Sequence, residues 1–260
     1  MTTYLDAILA RKREEVASLA AARPEAELRA RLADAPAARD LAGALSGPGG
    51  PTRVIAEVKR ASPSAGAIAT GLDAVAQALR YQQAGAAAIS VLTDGPGFGG
   101  TLADLVAVRA AVTVPVLRKD FTVDGWQLTE ARAAGADAAL LIAAALPGDQ
   151  LRRLHDRCGE LGLQALVEVH DEAEVERALA AGARLIGVNN RDLHTFAVDL
   201  ATSERIIPAL PGRVKGVAES GVRSGADARR LRAAGAVNLL VGEALVRAAD
   251  PGALLRELCG

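Results

Sequence analysis

Short apolar runs punctuate this chain, and the most apolar of them share one irregularity: a charged or amide side chain near the C-terminal end. Val54-Ile55-Ala56 meets Glu57 and Lys59, Val116-Leu117 meets Lys119, and Ala165-Leu166-Val167 meets Glu168. Leu185-Ile186-Gly187-Val188 ends in Asn189, and Val214 to Ala218 ends in Glu219-Ser220. Buried parallel strands read as continuous apolar runs. A charge set among them is costly unless several such groups share a pocket. The recurring position predicts that pocket at the C-terminal strand ends of a parallel barrel, where active sites are built.

A repeat supports the barrel. The tripeptide Ala-Gly-Ala recurs around Gly85, Gly135, Gly182 and Gly235, each time closing a helical pattern and preceding an apolar run. Glycine is the expected residue just past a helix, because it accepts left-handed φ without a Cβ clash. Neighbouring copies lie about 50 residues apart, and each interval holds a second strand and helix, so four copies give eight of each. Strands are expected at 53–59, 87–92, 115–119, 137–142, 164–169, 185–189, 214–218 and 238–241. Helices are expected near 72–84, 101–111, 125–134, 149–161, 171–181, 201–208, 224–234 and 243–258. Consecutive parallel strands need helical crossovers, and about 200 residues suffices to close a (β/α)₈ TIM barrel. The rival, an open doubly wound sheet, lacks its G-x-G-x-x-G after the first strand. Gly95-Pro96-Gly97-Phe98-Gly99-Gly100 follows the second strand and reads as a loop.

Residues 1–50 form a helical N-terminal extension of that single barrel domain. Leu5, Ile8, Leu9, Lys12 and Val16 fall at helical spacing, with Arg and Glu on the other face. A second helical patch spans Ala26 to Leu32 and a third Ala37 to Leu45, before the breaker cluster Ser46-Gly47-Pro48-Gly49-Gly50-Pro51.

Half of the 260 residues are hydrophobic and the net charge is −1. Near-neutrality, with aromatics at 2 %, leaves neither the electrostatic footprint nor the stacking rings that nucleic-acid binding uses. Cys158 and Cys259 form no disulfide framework or metal spacing and fit a reducing cytoplasm. No run of about 20 apolar residues offers a membrane span. The chain therefore reads as a cytoplasmic protein, with a monomer as the expected state.

The chemistry concentrates on a few side chains. Glu57 and Lys59 stand two apart on a strand and so share a face; alone they read equally well as an internal ion pair. Lys119 and Glu168 from the third and fifth strands join the same layer, with Glu219 from the seventh. Two lysines and three carboxylates in one desolvated mouth suit proton transfer. Asn189 can orient a substrate group and Arg191 offers a planar fork for an anion. Asn190 and Asp192 read as a polar left-handed turn. Glu219-Ser220-Gly221 and Val241-Gly242-Glu243 are turns of the kind that bind phosphate, with Ser62 of Ser62-Pro63-Ser64 adding a hydroxyl. Of the histidines His155, His170 and His194, the first reads as a helix-surface residue. His170 follows Glu168 by two, but no third ligand has compatible spacing, so no metal is expected.

These segments resemble the indole-3-glycerol phosphate synthase family. The resemblance rests on Ile55-Ala56-Glu57-Val58-Lys59-Arg60-Ala61-Ser62-Pro63-Ser64 and Val116-Leu117-Arg118-Lys119-Asp120-Phe121. Leu166-Val167-Glu168-Val169-His170, Gly187-Val188-Asn189-Asn190-Arg191-Asp192-Leu193 and Ala218-Glu219-Ser220-Gly221 add to it. It implies a tryptophan-pathway carboxy-lyase that needs neither metal nor organic cofactor. Its small phosphorylated substrate would be 1-(2-carboxyphenylamino)-1-deoxyribulose 5-phosphate, converted to indole-3-glycerol phosphate, CO₂ and water. Lys119 would be the general acid on the ketone and Lys59 would hold the substrate carboxylate. Glu57 and Glu168 would handle protons and the developing cation, and Asn189 the hydroxyls. Ser62, Gly221, Gly242 and Glu243 would hold phosphate; Arg191 and Ser220 would line the mouth, and Phe98 and Phe121 would pack on the anthranilate ring. Gly97-Phe98-Gly99 is slimmer than the family's usual loop and predicts a looser aromatic wall. Gly125 stands where proline is common at a helix start. The rivals are another phosphate-binding barrel enzyme, such as phosphoribosylanthranilate isomerase, or a barrel that binds a phosphorylated ligand without turnover.

Overall fold

The computed structural model describes residues 3–62, 66–192 and 195–260; Pro63, Ser64, Leu193 and His194 lie outside the described residues. Eight parallel strands close on themselves: β1 (Arg53–Val58), β2 (Ala88–Leu92), β3 (Val116–Lys119), β4 (Ala138–Ile142), β5 (Gln164–Val169), β6 (Leu185–Asn189), β7 (Lys215–Glu219) and β8 (Asn238–Val241). Each pairs with its sequence neighbours, and β1 also pairs with β8. Register levels the polar ends: Glu57 lies opposite Ser90, Leu92 opposite Lys119, Ile142 opposite Glu168, and Asn189 opposite Glu219.

Around the strands run α4 (Ala74–Gln83), α5 (Leu102–Ala111), α6 (Gly125–Ala133), α7 (Gln150–Glu160), α8 (Glu172–Ala180), α9 (Ala201–Ile206), α10 (Gly225–Ala233), α11 (Glu243–Arg247) and α12 (Pro251–Cys259). Side chains of Asp73, Thr101, Asp124, Asp171, Ser224 and Asp250 accept the free N–H groups that begin six of them. The four repeat glycines, Gly85, Gly135, Gly182 and Gly235, all take positive φ, between 89° and 99°. The interior is Ala, Val, Leu and Ile almost throughout, with Tyr81 and Trp126 its only buried aromatics among the described residues.

The expected final helix, 243–258, is instead two. Pro251 has no N–H to continue a ladder and Asp250 caps the new start, so the chain turns at Ala248 (ψ 138°) and restarts. The expected helix from Ala37 to Leu45 shortens to α3 (Leu41–Ala44). Residues before it serve the barrel base: the Arg39 N–H donates to Asp137 Oδ1 at 2.8 Å, and Asp40 becomes the cap of α3.

The extension wraps the barrel from mouth to base. Helices α1 (Tyr4–Ala22) and α2 (Glu25–Arg31) pack over α6, where Trp126 Nε1 donates to the Arg23 carbonyl at 2.9 Å. The following strap meets polar groups near the N-terminal strand ends: Gln164 Nε2 donates to Asp40 Oδ1, and Asn238 exchanges hydrogen bonds with the Ser46 backbone. Lys12, which the periodicity placed among apolar positions, is 1 % exposed. Its Nζ lies 2.6 Å from Asp94 Oδ1 and 3.1 Å from Asp120 Oδ1, while Arg11 donates to both Asp94 oxygens at 3.0 Å. Helix α1 is thus pinned to the loops after β2 and β3.

Candidate active site

A cavity of about 740 Å³ opens at the C-terminal strand ends. Every site candidate named from the sequence lines it: Glu57, Lys59, Ser62, Phe98, Lys119, Phe121, Glu168, Asn189, Arg191, Glu219, Ser220, Gly221, Gly242 and Glu243. Leu92, Leu140, Ile142 and Leu240 add apolar surface, and Tyr4, Leu5 and Ile8 of α1 form part of the wall.

Odd-numbered strands supply the charges, as alternate strands of a barrel fill one layer. Lys119 Nζ donates to Glu168 Oε2 at 2.9 Å and to Glu219 Oε2 at 3.1 Å. Lys59 pairs with Glu57 at 3.1 Å, and Ser90 Oγ lies 3.5 Å from the other Glu57 oxygen. The internal ion pair expected for Glu57 and Lys59 therefore exists, and it lies in the same cavity as the other three charges. Asn189 Nδ2 donates to Glu168 Oε1 at 3.0 Å, while its Oδ1 accepts the Arg191 N–H at 3.0 Å, so its amide is fixed from both ends.

The two carboxylates on Lys119 are driven apart. Burial opposes ionisation of both; for Glu168 the Lys119 and His170 charges win and hold it below the ordinary carboxylate range. Burial wins for Glu219, helped by the nearby Glu168 charge, and pushes it up to about 7 despite Lys119. Its Oε1 is buried with no hydrogen-bond partner. Burial also opposes the Lys119 ammonium, but Glu168, Glu219 and Glu57 together hold its proton more tightly than in an ordinary lysine. Divergent protonation within one cluster is the arrangement that acid and base roles require.

Two glycines clear room for these acids. A Cβ on Gly187 would overlap Glu219 Oε1 and come within 2.9 Å of Glu219 Cδ. One on Gly242 would collide with Glu57 Oε1 and lie 3.1 Å from Glu57 Cβ and Cδ. In the turn after β7, Ser220 takes φ 64°, uncommon outside glycine, and Gly221 follows at φ 85°. Asn190 departs from its expected left-handed turn: among the described non-glycine residues only Phe196 and Ser220 have positive φ. It is instead a buried staple, donating to the Ser220 carbonyl at 3.0 Å and accepting the Ser203 N–H at 3.0 Å. That bond ties the loop after β6 to the turn after β7.

The aromatic wall is held from outside. Phe98 and Phe121 rings lie 6.0 Å apart, and the Ala61 N–H donates to the Phe98 carbonyl at 3.1 Å. Arg60 adds bonds to the Gly99 carbonyl and both Asp104 oxygens. The slim glycine loop is thus tied to the segment after β1. Glu243 pairs with Arg247 at 3.0 Å, which leaves its backbone as the part of it suited to an anion.

Sequence reasoning missed two groups. Lys12, Asp94 and Asp120 tie α1 to the C-terminal end of the Lys119 strand, and a lysine in an apolar helical register was the signal. His170 lies beside Glu168, and the i, i+2 spacing that hinted at a metal pair was its signal. Among the described residues no group of three His, Cys, Asp or Glu could hold a metal ion, and no helix is long and apolar enough to cross a membrane. His155 is half-buried against Gly182 rather than on the open surface.

Known proteins resemble this chain over nearly its whole length. The indole-3-glycerol phosphate synthase family model matches residues 5–258. A synthase of that name from a Nocardioides species is 53 % identical over 259 residues, covering 99 % of this chain and 98 % of that one. The synthase from Opitutus terrae is 50 % identical over 262 residues, with the same coverage, and that from Mycobacterium avium is 52 % identical over 256 residues, covering 98 % and 93 %. A crystal structure of 3-hexulose-6-phosphate synthase superposes with a TM-score of 0.59 over 79 % of this chain and 97 % of that one; at 20 % identity it shares the fold alone. By sequence over nearly its whole length, the chain belongs to the indole-3-glycerol phosphate synthase family.

Proposed function

We propose that the chain closes the indole ring of 1-(2-carboxyphenylamino)-1-deoxyribulose 5-phosphate, with loss of CO₂ and water, through the charged groups of this cavity. The observation that carries the assignment of roles is Lys119, shared between Glu168 and Glu219 at 2.9 and 3.1 Å. Ring closure puts negative charge on the ketone oxygen and positive charge on the anilino system. Lys119 stays an ammonium across the working pH range and donates to the oxygen. Glu168, held ionised, faces the cation and stabilises it in a water-poor site, where fixed charges act most strongly. Lys59, steadied by Glu57, holds the substrate carboxylate until CO₂ departs. Glu219, with its proton poised near neutrality, suits the transfers of the dehydration. Asn189 orients the hydroxyls.

Ser62 and the backbone of Gly221, Gly242 and Glu243 cradle the phosphate, with Arg191 and Ser220 at the mouth. Phe98 and Phe121 pack on the anthranilate ring. We read residues 1–260 as one domain, with 1–50 an extension that braces the mouth, working as a cytoplasmic monomer.

The test is turnover of the anilino-ribulose phosphate, followed by indole absorbance. Lys119→Ala is expected to lower kcat at least 10²-fold with folding intact. Near-normal turnover removes Lys119 from the mechanism, and wild-type binding without any turnover favours a non-catalytic barrel.

A further inference from the structure

Behind Glu168, away from the cavity, stands a histidine with one ring nitrogen fully committed and the other not. His170 follows β5 by one residue and stands two positions after Glu168. Glu174, in the first turn of α8, accepts the His170 backbone N–H at 2.8 Å and lies 3.1 Å from Nδ1 through the same Oε2. Glu174 is itself set by its backbone N–H, which donates to Asp171 Oδ1 at 2.8 Å. A carboxylate oxygen accepts, so Nδ1 carries hydrogen and the ring's variable position is Nε2. That nitrogen is buried, has no hydrogen-bond partner, and lies 3.5 Å from Glu168 Oε1: too long for a hydrogen bond, near enough for an ion pair.

We propose that His170 is a positioning residue: as an imidazolium bridging Glu174 and Glu168, it keeps Glu168 charged and turned toward Lys119. Along this row the charges alternate, Lys119 positive, Glu168 negative, His170 positive and Glu174 negative. Three carboxylates act on the ring, Glu168 on its own strand, Glu174 on α8 and Glu219 on β7; burial opposes the ring's charge, and they outweigh it and raise its proton affinity. The orphaned Nε2–H is then the donor that closes on Glu168 Oε1 when that carboxylate meets a cationic intermediate. This extends the role assigned above to Glu168 and rests on it.

The test measures kcat and KM at about pH 7.5, and follows the Glu168 carboxyl by carbon NMR from about pH 2 to 7, for the wild type, His170→Asn, Glu174→Gln and their double variant, with Glu168→Gln assigning the signal. Loss of a cation beside a carboxylate raises its pKa by about 1 unit or more. His170→Asn is therefore expected to move the Glu168 titration upward by about one unit and to lower kcat about tenfold, with KM within twofold. Glu174→Gln shifts the titration the same way by less, and the double variant is no worse than His170→Asn. Glu174→Gln carries the test if His170→Asn fails to fold. A lowered Tm with the Glu168 titration unmoved overturns the proposal, since a merely structural histidine does that. Normal turnover in Glu168→Gln instead overturns the role of Glu168 itself.

Discussion

Replacing Lys12 by methionine keeps the apolar stem and deletes one ammonium from a dry cluster. Of its three carboxylate partners, Glu15 is part-exposed, but Asp94 and Asp120 have side chains 0 and 2 % exposed, so neither can turn to water for compensation. Removing one member of a buried ion pair costs roughly 3–5 kcal/mol, because the remaining charge is stranded. Here each carboxylate keeps a second cation: Arg11 holds Asp94 through two bonds of 3.0 Å, and Arg118 holds Asp120 at 3.2 Å. Thr93 also donates to Asp120 at 2.6 Å. The expected loss is the low end, about 3 kcal/mol, or a Tm lower by roughly 6–12 °C for a chain of this size. The sign of the pH dependence follows from Lys12 itself. Burial opposes its charge, but Asp120 and Asp94 raise its pKa above the ordinary 10.5, so its contribution is complete below that value and fades only above it. Thermal melts should show a constant deficit from about pH 6 to 9. A Tm within 2 °C of the wild type would refute the claim that this cluster anchors α1.

The same reasoning gives three shorter predictions. Glu219 titrates near 7 in the folded chain and near 4.5 unfolded, so its ionised form weakens folding above pH 7 and has no effect below about 4.5. Glu219→Gln should raise stability at pH 8, with the difference from wild type closing by pH 4, while turnover falls; a uniform shift in urea midpoints would count against it. Glu168, held low, behaves oppositely: Glu168→Gln should destabilise at pH 7, an effect that fades as pH falls below the ordinary 4.5 toward 2. Gly242→Ala should lower kcat/KM by roughly tenfold or more, since the 3.1 Å approach to Glu57 displaces a side chain whose position matters within about 0.5 Å; unchanged kinetics would show that Glu57 moves freely.

The barrel was legible because its punctuation is local. Gly85, Gly135, Gly182 and Gly235 mark helix ends by a property of single residues, and the interrupted runs mark strand ends by the cost of a buried charge. The same interruptions located Glu57, Lys119, Glu168 and Glu219, since only a shared pocket excuses them. What stayed hidden depends on distant partners. Lys12 stood in an apolar register, but nothing local says that Asp94 and Asp120 come to meet it. The role of His170 needed α8 to bring Glu174 back across β5. Asn190 looked like a turn residue until the fold placed it between the Ser220 carbonyl and the Ser203 N–H. The break at Ala248 was readable: Asp250-Pro251 is a helix start signal, overrun by the helical periodicity around it.

Gly187 and Gly242 carry a lesson for transplanting this chemistry. The coordinates of Glu219 and Glu57 are specified by hydrogens where adjoining strands could have borne methyl groups. Moving only the acids and lysines onto another eight-stranded scaffold would leave them without vacant lots to occupy. A faithful graft must carry the two bare backbone positions along with the visible functional groups.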